Sequence, residues 1–456
     1  MVDLKTKKRV RDLTSGSVPG GLILFMLPLL GSSLIQQLYN TVDIMFIGQF
    51  LDKNASAAVG SGGLLITLLL GLFTGFSIGV GVIAAKAFGA GDATSLHQTV
   101  HTTAAVAVVC GSVFTVFSVD CTPAYLVILN VPLEIRQMSQ LYLSIYFISL
   151  FAMVLFNLSA GILRALGDSR TPMLYQLYGG IGNVIADVVF IAVLGWGVGG
   201  AALASVCSQS VVALLTVHRL TKLDEGYKHC FFKFEVYPQK LKEIFVIGIP
   251  SAIQAMLITS SNLFVQANIN TLDITSIAGY TVYFKVENFI YMPCGAFGQA
   301  AMTFVAQNVG AGQSLRARKG VAMSIAIGMA IALILEFIFL YFGSFIFSCF
   351  SSDGSVVLSG LSIARITFPF YFSYVFIEVF SGAIRGSGKA FAPMLIVLST
   401  LGVARMVIVA FIMLSGGTAQ TVAVAYPITW IMAAILLTVF YFAAKCITRS
   451  VKNAKA

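Results

Sequence analysis

Charge is what this sequence has least of. Only 10% of its 456 residues are Asp, Glu, Lys or Arg, and 58% fall in the AVILMFWYC set. A water-soluble domain carries about 25% charged residues, so this composition excludes one. The cysteines offer nothing for zinc or redox chemistry. Cys110, Cys121, Cys207, Cys230, Cys294, Cys349 and Cys446 form an odd, scattered set without Cys-x-x-Cys spacing, and they read as small apolar packing residues. Strand-like alternation is missing as well: 321–347 is a long, mostly apolar run, which excludes an outer-membrane barrel.

Catalytic motifs are also absent. The nearest match to a phosphate-cradling loop, Gly386-Ser387-Gly388-Lys389-Ala390, lacks the upstream glycine at 383 and the hydroxyl after the lysine. His97 and His101 share a helical face, but no carboxylate or cysteine accompanies them locally, so a helix start is the better reading than a metal site. No nucleophile and base stand in a motif context; an enzyme, a cofactor and a bound metal are not expected.

What is present is a series of long apolar runs. At roughly 20 apolar residues per membrane-spanning helix, the chain holds about twelve. Runs bounded by polar, Gly or Pro breaks lie near 21–47, 56–83, 97–119, 136–160, 171–194, 197–218, 241–268, 276–304, 319–348, 356–384, 391–414 and 421–445. The predicted fold class is an all-α polytopic membrane protein with twelve transmembrane helices in two pseudo-symmetric six-helix bundles.

The net charge of +10 is a matter of topology rather than of nucleic acid. With a cytoplasmic N-terminus, the 28 Lys and Arg fall in the tails and even-numbered loops or at their edges, except Lys53 and Arg136 outside and Lys285, Arg365 and Arg405 within spans. Both termini are expected in the cytoplasm, and the basic tail Lys5, Lys7, Lys8, Arg9, Arg11 reads as an inside anchor. No cleaved leader is expected, because the first span is too long for a signal-peptide core.

The chain repeats itself. Ala85 to Asp92 (AKAFGAGD) matches Ala306 to Gln313 (AQNVGAGQ) at an offset of about 221. Arg164-Ala165-Leu166-Gly167-Asp168 with Pro172-Met173 matches Arg385-Gly386-Ser387-Gly388-Lys389 with Pro393-Met394 at the same offset, and Pro28 matches Pro250 within one residue of it. The glycines suit left-handed helix C-caps and the prolines suit first turns. The expected domains are 1–220, a linker at 221–240 and 241–456. Six spans return the chain to its starting side, so the halves share an orientation and enclose a central cavity.

Ionisable residues inside a bilayer cost at least ~2.5 kcal/mol on insertion scales, so each needs a reason. Gln36, Asn40 and Asp43 form one stripe on span 1, and Asn183 and Asp187 stand one turn apart on span 5. Asn157 and Ser205 offer further oxygen atoms. Two acids with no basic residue inside the spans of the same half invite a bound cation or a proton, or else a polar core that only packs helices. The second half carries Lys285, Glu287, Arg365, Glu378 and Arg405, for which a ring of cross-helix ion pairs is the simplest arrangement, either as a structural lock or as cavity lining. Glu336, alone on span 9, is assigned no role.

Twelve spans in duplicated halves, a proline in the first span of each, the paired Gly-Ala-Gly turns and the paired Arg-x-x-Gly-x-x-x-x-Pro-Met turns resemble the multidrug and toxic compound extrusion (MATE) transporters. The resemblance covers nearly the whole chain. It implies a monomeric antiporter of the cell membrane that exports amphipathic, mainly cationic organic compounds in exchange for Na+ or H+ by alternating access. It also implies that Asp43, Asn183 and Asp187, supported by Asn157 and Ser205, form the cation site, with Pro28 as the bend of span 1. Gln36, Asn40 and the charged residues of the second half are then candidates for the substrate cavity. Thr259-Ser260-Ser261 and Phe372-Ser373-Tyr374 stand where some members carry acids, a departure that speaks against a second cation site there. The competing reading is a flippase or exporter for an anionic or lipid-linked substrate, drawn to Lys285, Arg365 and Arg405; a channel is a third.

Overall fold

A computed structural model describes residues 11–129, 131–223 and 235–455, with the side chains of 39–45, 53, 64 and 452–455 outside the description. Among the described residues there are 12 helices long and apolar enough to cross a membrane. The first six spans are Val18–Phe50, Gly63–Ala90 behind the short helix Lys53–Ser61, Ala93–Ile128, Leu133–Ala165, Arg170–Asp187 continued by the π-helix Val188–Val193, and Gly197–Thr221. Spans 7 to 9 are Pro238–Ile269, Ile274–Gly310 and Ser314–Tyr341. Span 10 comes in two pieces, Gly354–Thr367 and Tyr371–Gly386, around a 3-10 turn at Phe368–Phe370. Span 11 is Phe391–Val397, a π-helix Leu398–Ala404, then Arg405–Leu414. Span 12 is Ala425–Ala443 behind the short helix Ala419–Ala423, and the helix Cys446–Lys455 follows it. No strand occurs among the described residues, and the protein is an all-α polytopic membrane protein.

The duplicated turns fold alike. Gly91, Gly167, Gly312 and Gly388 have φ of 70°, 84°, 72° and 97°, a left-handed region that only glycine enters without strain. Behind each, two amide N–H groups reach back to the end of the preceding helix. Gly91 N donates to Phe88 O (3.1 Å) and Asp92 N to Ala87 O (3.0 Å); Gly312 N donates to Val309 O (3.1 Å) and Gln313 N to Asn308 O (2.8 Å). The turns at Gly167 and Gly388 repeat this pattern, and all four satisfy carbonyls that a helix end would otherwise leave open. At the first of the Pro-Met turns, buried Asp168 also bonds Thr171 (2.7 Å) and pairs with Arg219 at 3.4 Å, tying the start of span 5 to the end of span 6.

The chain falls into two compact units. The body of one is Leu27–Gly248; the other joins Leu13–Met26 to Ile249–Ala456. Passage from one unit to the other therefore lies inside spans 1 and 7, directly ahead of Pro28 and Pro250. Proline has no N–H to donate and its ring crowds the carbonyl four residues back, so each passage point is where its helix is weakest.

Within the first unit, spans 2 and 4 cross closely. A Cβ on Gly161 would stand 3.0 Å from the Ser77 carbonyl oxygen, and Ser77 Oγ donates to the Asn157 carbonyl (2.6 Å). Within the second, spans 8 and 10 cross at the repeat-equivalent place, where a Cβ on Gly298 would meet the Glu378 carbonyl oxygen at 2.8 Å. Small residues let the backbones of spanning helices approach, which suits a bilayer, where apolar area alone gives little drive for association. The opening stretch of the second unit is clamped by the turn after span 8. Leu13 N donates to Gln307 Oε1 (3.0 Å), and Arg316 donates to the carbonyls of Leu13, Ser15 and Gly16 at 3.3, 2.7 and 2.9 Å.

Candidate functional site

Asn183 and Asp187 stand one helical turn apart on span 5, so both side chains lie on one face. Each has 0% exposure. Asp187 ends the regular helix, and the next six residues widen to a π-helix, with Leu194 N reaching Val189 O at 2.9 Å, five residues back. Such widenings are uncommon and concentrate at functional sites. Neither the Nδ2 nor the Oδ1 of Asn183 meets a hydrogen-bond partner among the described residues. An unmet buried polar atom costs about 1–3 kcal/mol, so this amide is held at a cost beside a buried acid.

The other expected members take different places. Ser205, 1% exposed, lies on span 6, which packs along span 5. Asn157 is half-buried and turns its Nδ2 back onto the Met153 carbonyl of its own helix (2.8 Å). Gln36 is exposed. Asn40 and Asp43 fall on a helical stretch of span 1, and their side chains lie outside the described residues. Sequence reading missed Gln176, which bonds Ser32 of span 1 and stands two turns before Asn183. Its signal was available: 176, 183 and 187 make one i, i+7, i+11 stripe.

The charged residues of the second half do not form the expected ring. Among the described residues no salt bridge joins Lys285, Glu287, Arg365, Glu378 and Arg405. Lys285 and Arg365 are exposed and Glu378 is half-buried, while Glu287 and Arg405 sit in the interior among aromatic rings. Tyr371 donates to Glu287 Oε1 at 2.5 Å. Arg405 donates to Thr429 Oγ1 (3.2 Å) and Asn262 Oδ1 (3.1 Å) and lies over the Tyr426 ring at 4.5 Å, and Tyr426 in turn bonds Tyr280 (2.7 Å). A neutral donor at Glu287, and neutral acceptors and a π face at Arg405, take the place of a direct counter-charge, spreading the desolvation cost over several partners.

Glu336, assigned no role from sequence, has a structural one. The break in span 10 at Pro369 frees the amides of the following half-helix, and Phe372 N donates to Glu336 Oε1 at 2.9 Å. A carboxylate at a half-helix N-terminus meets both the unsatisfied N–H groups and the positive end of the dipole. Span 7 performs the matching task for span 11, where Ser261 Oγ donates to the Leu401 carbonyl inside the π-helix at 2.6 Å. His97 and His101 stack at 4.2 Å, and Glu235 lies 3.7 Å from His101 Nδ1; among the described residues no three His, Cys, Asp or Glu side chains converge as a metal site would need.

Duplicated six-span halves, proline-marked first spans and a buried amide–acid pair define a class of polytopic helical membrane transporters. The comparisons make it specific: the MatE family model matches residues 28–189 and again 250–412, so the chain belongs to the MatE family. The two matches begin at Pro28 and Pro250. The chain is 27% identical over 389 residues to the probable multidrug resistance protein YoeA of Bacillus subtilis, covering 83% of this chain and 84% of that protein. It is 25% identical to the probable multidrug resistance protein NorM of Thermotoga maritima, covering 86% and 85%. Its fold matches a crystal structure of MATE in the bent conformation with a TM-score of 0.90, at 21% identity, over 99% of this chain and 100% of that one.

Proposed function

We propose that the protein is a secondary active antiporter that exports amphipathic, mainly cationic organic compounds in exchange for Na+ or H+. The observation that carries this reading is the Asn183 amide, buried with both polar atoms unmet, one turn from buried Asp187. A small cation or a proton-bearing group completes such a pair, and the adjoining π-helix supplies backbone that can repack when it does. Family membership and the names of the relatives supply the efflux activity; Asp43, one turn beyond Asn40 on span 1, completes the acid pair. The protein works in the cell membrane as a monomer with both termini in the cytoplasm; the placement of its Lys and Arg supports that orientation. An anionic or lipid-linked substrate is not favoured, because Arg405, its best attractor, is buried and bonded by Asn262 and Thr429.

The test is dye export from proteoliposomes under separately imposed Na+ and pH gradients. Asp187→Asn and Asn183→Ala are expected to lose gradient-driven export by at least about tenfold while keeping a folded elution profile in detergent. Undiminished export in both variants overturns the coupling site, and export that ignores both gradients overturns antiport.

A further inference from the structure

Away from the amide–acid pair, a cavity of about 220 Å³ opens within the second unit between spans 9, 10 and 12 and the helix Cys446–Lys455. Its walls are apolar, built from Ile325, Phe380, Tyr441 and Phe442, while Arg318 and Lys445 stand at it with exposed side chains. The volume is below the ~300–1,000 Å³ of sites that enclose a drug-sized ligand. It takes a segment of one hydrocarbon chain, the rest of which stays in the bilayer. The cavity lies where span 9 begins and spans 10 and 12 end, the face proposed above as cytoplasmic.

Three features give the occupant a charge. Arg318 bonds only the neutral Thr448 hydroxyl, and no carboxylate pairs with Arg318, Lys319, Lys389, Lys445 or Arg449 among the described residues. The helix Cys446–Lys455 buries Cys446, Ile447 and Val451 and exposes Arg449, as an interfacial helix does. Lys445 itself has φ 45° and is the non-glycine residue at positive φ among the described residues; at every other such place the chain uses glycine. The backbone strain is thus carried at a residue that lines the cavity.

We propose that this cavity is a binding site for an anionic phospholipid of the surrounding bilayer, one acyl chain lying against Ile325, Phe380 and Tyr441 and the phosphate meeting Arg318 and Lys445. Basic pockets between spanning helices recognise anionic headgroups by this combination of a charged rim and an apolar interior.

The experiment measures lipid binding to the purified full-length protein by native mass spectrometry, using dioleoylphosphatidylglycerol, dioleoylphosphatidylcholine and inorganic phosphate as separate probes. Wild type is expected to retain the glycerol lipid at least about fivefold more strongly than the choline lipid, and inorganic phosphate is expected neither to bind nor to displace it. Lys445→Gly, which relieves the backbone strain and so keeps the fold, and Arg318→Gln are each expected to weaken the anionic lipid about fivefold. Ile325→Trp fills the cavity and is expected to abolish retention with both cations intact. Equal retention of the two lipids, or unchanged affinity in Lys445→Gly, overturns the proposal. Displacement of the lipid by free phosphate overturns it in favour of a soluble-anion site.

Discussion

Arg405 shows how a single buried cation can be accommodated without a carboxylate against it. The residue is 1% exposed, and its guanidinium divides its contacts between Asn262, Thr429 and the Tyr426 ring. The fork of five donors and the flat face that stacks on tyrosine are both properties of arginine, and lysine has neither. Arg405→Ala is therefore expected to cost about 1–3 kcal/mol of stability through the buried acceptors it leaves unmet, and Arg405→Lys is expected to recover less than half of it. Thermal unfolding of the purified variants in detergent measures both. Rescue by lysine would show that charge alone is at work.

Two of the acids that cap helices, Asp273 and Asp353, make a pH prediction at the same scale. Asp273 is held below the ordinary aspartate value of 3.8 by hydrogen bonds from the Ser276 side chain and then its backbone; Asp353 is lowered in the same way by Ser355. A depressed folded value means that these carboxylates contribute stability above the ordinary value of 3.8 and lose it as the pH falls through their lower folded values. Asparagine caps a helix almost as well and does not titrate there. The double variant Asp273→Asn, Asp353→Asn should then show a flatter fall in melting temperature below about pH 4 than wild type, and parallel curves would contradict this.

At the scale of the helix, the spans were legible because twenty apolar residues in a row have few soluble explanations, and the turns were legible because glycine marks each one. The interruptions inside spans were harder to read. Pro369 carried a signal for the break in span 10 that reading 356–384 as one run passed over, whereas the π-helices at Val188–Val193 and Leu398–Ala404 contain ordinary apolar residues and leave no compositional trace. They depend on tertiary partners such as Ser261, which sits on another helix 140 residues away. The same holds for the candidate site: Asn183 and Asp187 could be picked out as a buried pair, whereas the tyrosine-mediated link to Glu287 could not, since tyrosines are plentiful and their partners are set only by packing.

Close crossing of spans 8 and 10 gives an internal comparison within one helix. A methyl group on Gly298 would press on the Glu378 carbonyl oxygen at 2.8 Å, while one on Gly295 meets nothing within 4 Å. Gly298→Ala should cost about 1–3 kcal/mol through overpacking of backbone that cannot withdraw. Gly295→Ala should be neutral or stabilising by up to about 1 kcal/mol, because alanine loses less backbone freedom in a helix. Melting temperatures that move together in the two variants would rule out a tight crossing.

For the whole molecule, duplication is visible at two levels that do not depend on one another: the repeated turns, whose Gly91, Gly167, Gly312 and Gly388 are left-handed alike, and the crossings at Gly161 and Gly298. The halves have nevertheless diverged in chemistry. The first keeps the buried amide and acid on span 5, and the second has placed an arginine in an aromatic interior on span 11. The compact units do not coincide with the two copies of the repeat, since Leu13–Met26 belongs with the second copy and the start of span 7 with the first.

That exchange of segments bears on what becomes of the protein when it is severed. Polypeptides produced separately on either side of residues 223–235 would each be missing a stretch that the other carries, so neither alone should pass a protease-resistance assay. Produced together in one cell, the two fragments should find each other and restore both resistance and export, as interlocked pieces do. A C-terminal fragment that resists digestion unaided would show that Leu13–Met26 is dispensable to its unit.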